Sequence, residues 1–309
     1  MLFAGTPDGV YRVPRQPFDR AEQVFNAPVR QLQSDGDGVL AATDAGVVRM
    51  TDGGDSWTNL GLADVHAVDC TGSAIYAGGR PAELYRSDDG GETWERQESF
   101  GSFAADADWP TNPHRDEAWV RTIASLEGRE ILLVGVEVGG FLASTDGGES
   151  WKQFDAVPDD VHDVLPISPE RWVVSCGVGG PDERGGVFET TDGGVTWTER
   201  DLGPYEYVRE SCYRDRLYTA GNQTRPLWTP PEAALFVERD GELDRAAYPG
   251  EPESFVISFA TSGADVLAGT NDGAILHGRG GEWEQLGTVP VAEDDQGAWG
   301  VRSLAVTEH

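Results

Sequence analysis

Six basic side chains recur at one position of a repeated strand. Arg30, His66, Arg121, His162, Arg209 and Arg302 each follow a valine, in the pairs Val29-Arg30, Val65-His66, Val120-Arg121, Val161-His162, Val208-Arg209 and Val301-Arg302. A seventh pair, Val256-Ile257, keeps the valine and loses the base. Guanidinium groups gathered around a restricted opening bind carboxylate, sulfate or phosphate through paired N–H donors. The same groups could instead be consumed by acids such as Asp163 and Glu210, stitching strands together and binding nothing. Aromatic residues flank the basic position: Trp119 precedes Val120-Arg121, Tyr205 and Tyr207 precede Arg209, and Trp299 precedes Arg302. Rings beside arginine suit a sugar acid or another flat anion, and suit plain packing as well.

A second chemistry rests on carboxylates. Glu137 stands in the short apolar turn Val136 to Gly140, where burial would raise its pKa and fit it for general acid work, or where it is only a turn residue. Asp44, Asp163 or Glu210 would be its partner, and glycoside hydrolysis needs two such groups about 5 to 9.5 Å apart. His66 and His162 sit on nonadjacent units without a third ligand, so no metal site is expected. No nucleophile elbow, phosphate loop or HExxH is present, and no cofactor is expected.

What must position these groups is a repeat. The chain writes MTDGGDSW (Met50 to Trp57), SDDGGETW (Ser87 to Trp94), STDGGESW (Ser144 to Trp151) and TTDGGVTW (Thr190 to Trp197). Each follows β-branched and aromatic runs with glycine turns, as one antiparallel sheet unit does. Asp52, Asp89, Asp146 and Asp192 are expected to bond backbone N–H groups of a tight hairpin. Trp57, Trp94, Trp151 and Trp197 are expected to bury their rings between units. Weaker copies at Leu235 to Leu243 and Ile275 to Trp283 bring the count to seven units of about 44 residues, the length of a four-stranded propeller blade.

The expected fold is therefore all-β: a seven-bladed β-propeller of four-stranded antiparallel blades, one domain over 1–309. The blades fall at 298–309 plus 1–26, 27–61, 62–98, 117–156, 157–202, 203–249 and 250–288. The C-terminal Gly300 to Val306 supplies an inner strand and the N-terminal Leu2 to Val13 the next two, so one blade joins both ends and leaves no open edge. Strand order puts the Asp-boxes on the bottom outer rim. The basic positions then share the top with the second-to-third-strand turns, which add Arg80, Asn222, Gln223, Arg225 and Asn271. An insertion at 99–116, with Trp109, His114 and Arg115, is read as a top-face loop.

These units resemble the BNR or Asp-box repeats of sialidase-like propellers, of sortilin and of the photosystem II assembly factor of plants and cyanobacteria. The resemblance implies a seven-bladed ring like that of the assembly factor. It also implies an arginine-rich binding patch, onto which Arg30, Arg121, Arg209 and Arg302 fall by blade register. The Arg-Ile-Pro motif that the sialidase resemblance would bring is absent.

Net charge is −31, from 54 acidic against 23 basic residues, with Lys152 the only lysine. Such a surface repels nucleic acid and anionic membranes, and resembles the coats of proteins from salt-accumulating archaea. Cys70, Cys176 and Cys212 form no pairing pattern and are expected to be buried thiols. The expectation is a cytoplasmic monomer: a non-enzymatic scaffold whose top face binds an anionic small molecule, a sugar acid or an acidic protein segment. The alternative is a glycoside hydrolase working in the same cleft.

Overall fold

The computed structural model describes residues 1–14, 20–36, 38–72, 74–107, 109, 117–178, 184–223, 232–291 and 299–307. Their strands form seven four-stranded antiparallel sheets, each consecutive in the chain except one. That one, blade 1, joins Ser303–Val306 to Leu2–Thr6, Gly9–Val13 and Glu22–Phe25. Leu2 stands opposite Val306 and Gly5 opposite Ser303. The amine of Met1 donates to the Thr307 carbonyl at 2.6 Å, and the Thr307 N–H returns to Met1 at 2.9 Å. The ring closes as the alternation at its two ends requires.

Blades 2 to 7 begin with the inner strands Val29–Asp35, Val65–Thr71, Trp119–Ser125, Val161–Pro166, Tyr207–Tyr213 and Val256–Ser262. Second strands such as Gly38–Thr43 and Leu132–Glu137 are buried along their whole length, because neighbouring blades cover both faces. Their unbroken apolar runs follow from that double cover.

Two local features aim the basic residues. Glycines on second strands leave room for the valine that opens the next blade: a Cβ on Gly78 would sit 2.3 Å from Val120, and one on Gly135 2.6 Å from Val161. The valine is thereby seated in the preceding blade. The residue after it is then skipped in the pairing with the second strand, as the register jumps from 29 to 31, 65 to 67, 120 to 122, 161 to 163 and 256 to 258 show. In blade 6 the jump runs from 208 to 211. A bulge bends the strand and re-aims the extra side chain.

On the opposite rim three Asp-boxes behave alike. Asp89, Asp146 and Asp192 each accept the backbone N–H and the hydroxyl of Thr93, Ser150 or Thr196, and the hydroxyl of Ser87, Ser144 or Thr190. Asp52 makes none of these bonds, which corrects its expected role. Met50 replaces the first hydroxyl of its box and is fully buried instead, while Asp52 lies at φ +53° in a short 3₁₀ turn, Asp52–Gly54. The tryptophans pack backwards: Trp57 stacks on Phe25 at 4.5 Å, Trp94 donates to the Leu60 carbonyl at 2.8 Å, and Trp197 meets Phe154 edge-on at 5.7 Å.

Trp151 meets something different: the insertion, expected as a loop on the top face, begins as a helix beside the Asp-box rim, while Trp109 further along reaches the second-to-third-strand turn at Gly139. The insertion opens as a helix, Glu98–Asp106, whose Phe100 is fully buried and meets Trp151 edge-on at 5.1 Å. The hydroxyl of Ser99 donates to the Gly148 carbonyl in the Asp-box. The outer strand of blade 3 is only Glu95–Arg96, and the helix that follows it packs Phe100 into the core shared with blade 4.

Candidate functional site

The bulged residues converge on the central bore. A cavity of about 710 Å³ is lined by all six basic positions and by Ile257, together with Asp44, Trp119 and Trp299. Convergence of one position from seven blades is what the valine register encodes. The chemistry at the individual positions differs.

Arg30 is consumed locally. Its guanidinium contacts Asp44 in its own blade and Asp64 at 3.0 Å in the next, and it closes on the imidazole of His66. His66 is also 3.3 Å from Asp64 and packs its ring 5.6 Å from Trp119. Burial first, then the neighbouring Arg30, lowers its pKa to about 4. Arg121 pairs with Glu137, whose side chain is wholly buried. His162 donates from Nδ1 to the Val208 carbonyl at 2.7 Å and lies 3.4 Å from Asp160 through Nε2. Burial, then Arg121, again lowers its pKa to about 4. At neutral pH both histidines are uncharged, and four guanidiniums remain of the six expected cations.

Arg209 differs from all of these. Its side chain is 8% exposed, and no carboxylate lies within ion-pair distance among the described residues. It is boxed by rings, with its guanidinium carbon 5.4 Å from Tyr207, 5.9 Å from Phe255 and 5.0 Å from Trp299. Its Nε is buried without a hydrogen-bond partner among the described residues. Stacking against aromatic faces fixes the guanidinium plane and leaves the in-plane N–H edge for a ligand. Trp299 is 40% exposed and stands 5.0 Å from Arg302 as well as from Arg209, so one indole serves two arginines. Across the ring Trp119 lies under Arg80 at 5.2 Å.

Below the mouth, the bore is lined with acids. Asp163 accepts the Ser211 N–H at 3.2 Å, and Asp69 accepts the Ser125 N–H at 2.8 Å. Burial raises the pKa of Asp69 to about 6, and it raises those of Asp163 and Glu210 too, with Glu210 raised further by Asp163. Glu137, Asp163 and Glu210 are not gathered into one cleft: Glu137 is closed in by Arg121, while the other two face the bore.

Other sequence-selected residues fall elsewhere. Trp109 bonds Gln153 at 3.2 Å and covers Gly139 on the outside of its turn, away from the bore. Tyr205 bonds Glu232 at 3.1 Å and packs on Phe236. His114, Arg115 and Arg225 lie outside the described residues. Sequence reasoning missed Phe255, and also Asp64 and Asp160, although the triplet Asp-Val-His occurs at both 64–66 and 160–162.

The BNR/Asp-box repeat family matches residues 85–96, the second Asp-box and its flanks. None of the curated proteins matches the chain at a significant level. Among solved structures, the GH74 xyloglucanase from Xanthomonas campestris is 17% identical with a TM-score of 0.69, over 93% of this chain and 52% of its own. The chain thus spans about half the length of that enzyme. YCF48 bound to D1 peptide is 16% identical with a TM-score of 0.57, over 87% and 82% of the two chains. The WD40 propeller domain of Doa1 is 15% identical with a TM-score of 0.57, over 94% and 88%. At these identities the likeness is one of fold. The chain is a seven-bladed β-propeller carrying the BNR/Asp-box repeat, similar in fold both to GH74 hydrolases and to a propeller solved with a bound peptide.

Proposed function

We propose that this propeller is a non-enzymatic scaffold that binds an anionic ligand, or a carboxylate of a partner, at the mouth of its bore. Arg209 carries this reading: a buried guanidinium held between three rings, lining an open cavity, with no acid of the described residues assigned to it. A buried unpaired charge is costly, and a bound anion relieves the cost. The cavity of about 710 Å³ is of the size that takes small organic ligands. The likeness to YCF48 solved with a peptide is compatible with a binding role.

Thermal shift in molar KCl against sugar acids, sulfate and phosphate tests this, with Arg209→Gln as the control. At least one anion is expected to raise the melting temperature of the wild type and not of the variant. Equal shifts in both refute the reading.

Hydrolysis is the second reading, because Asp163 and Glu210 lie side by side in the bore and a xyloglucanase shares the fold. Release of reducing ends from xyloglucan oligosaccharides, lost in Glu210→Gln, would favour it. No release would remove it.

A further inference from the structure

Asp163 and Glu210 occupy one equivalent position, two residues beyond the valines Val161 and Val208, and so about 7 Å along the bore from them. That position has a structural task, which is to accept an N–H from the next inner strand. Gln31 accepts from Val68 at 2.9 Å, Ser303 from Leu32 at 2.9 Å and Asp163 from Ser211 at 3.2 Å, and Glu210 accepts from the backbone of Phe259. The remaining blades place Ala67, Thr122 and Ser258 there. A neutral side chain therefore suffices for the stitch, and two acids on adjacent blades exceed what it needs.

Neither acid has a basic partner within ion-pair distance among the described residues. Two neighbouring half-buried carboxyls lining one bore without a cation between them resist ionising together. Arg209, directly before Glu210, is the nearby guanidinium without an acid. We infer that Asp163 and Glu210 are the proton-bearing half of the anion site. With the site empty, one carboxylate of the pair balances Arg209. When an anion binds, the pair takes a proton from solvent, which offsets one unit of the anion's charge and turns a repelling carboxylate into an O–H donor. This rests on Arg209 as the anchor, and it gives the ligand a character: an anion taken up together with one proton.

The surrounding groups allow the assignment. His162 and Arg209 lie on the same two strands, with Cys212 and Tyr213 further along. Arg121 stands on blade 4 and Asp69 on blade 3, and Val256–Ser262 of blade 7 carries nothing that titrates. His162 titrates near 4, burial pushes the Cys212 thiol up, and the upward shifts of Asp163 and Glu210 agree with a shared proton. Asp69, raised to about 6, is the neighbour that must be separated by mutation.

Sulfate stays a dianion from pH 5.5 to 8.5, so calorimetric titration with sulfate at fixed ionic strength reads only the protein's protons. Affinity is expected to fall by up to about tenfold per pH unit once the pair has lost its proton. Buffers of different ionisation heat should report close to one proton taken up per sulfate. Asp163→Asn combined with Glu210→Gln should bind with a flat profile, while Asp69→Asn keeps the slope. Wild-type affinity independent of pH, with binding still lost in Arg209→Gln, overturns the proton pair and leaves the anion site standing. A slope that survives in the double variant also overturns it, and no sulfate binding at any pH removes both readings.

Discussion

The two ends of this ring treat charge differently. At the Asp-box rim each repeated acid has its donors built into the same hairpin, which hold Asp89, Asp146 and Asp192 at a pKa of about 2. At the mouth the repeated base is handled blade by blade. Arg30 has Asp44 and Asp64, Arg121 has Glu137, and Arg209 has only rings. The residues repeated most faithfully are those whose bonding the fold itself completes. Chemistry is left over where equivalent positions are satisfied unequally.

Mutations at the two ends should therefore act in opposite senses. Trp197→Ala removes a ring wedged against Phe141 and Phe154 and is expected to cost about 3 to 5 kcal/mol, read as a lower urea midpoint with unchanged slope. Gly194→Ala at the same rim puts a Cβ 2.5 Å from Phe154 at φ +85°, and should cost about 2 kcal/mol in the same measurement. Arg209→Leu at the mouth replaces a buried charge by an apolar side chain. It should leave stability unchanged or raise it by about 1 kcal/mol while abolishing anion-induced thermal shifts. A loss as large as that of Trp197→Ala would make Arg209 a structural residue and erase the contrast.

Acid unfolding sharpens the difference between the rim and the bore. Carboxylates held at about 2 in the folded chain, against about 3.9 unfolded, stabilise it above pH 4 and lose that contribution as pH falls through 2. Asp146→Ala should accordingly flatten the fall in melting temperature between pH 4 and 2. Asp69, raised to about 6, acts with the opposite sign: its contribution is complete below about 3.9 and is lost as pH rises through 6. The smallest effect belongs to Asp52→Gly, which breaks no side-chain bond and suits φ +53°. It should change stability by less than about 0.5 kcal/mol.

The blades were legible because the boxes and the valine-base pairs recur at blade length, and the closed ring followed from strands missing at one end and present at the other. The bulge was not legible, since it exists only in the pairing of two strands and leaves no mark on either alone. The first Asp-box shows the limit of a motif. Its Asp52-Gly53-Gly54 core matches the others, yet Met50 in place of a hydroxyl removes the bonding. The helix 98–106 was hidden for a related reason: what holds it is the packing of Phe100 against Trp151, a residue about fifty positions further along the chain. At the mouth the bases and the acids Glu137 and Asp44 were both visible but their pairing was not, because each acid stands sixteen or fourteen residues along the chain from its base.

Crystals soaked in selenate, with anomalous diffraction collected at the selenium edge, test the anion site most directly. The strongest peak is expected at the mouth of the bore, within hydrogen-bonding reach of the Arg209 guanidinium and beside Trp299. Selenate ordered only on the outer surface, with the mouth empty, would contradict it.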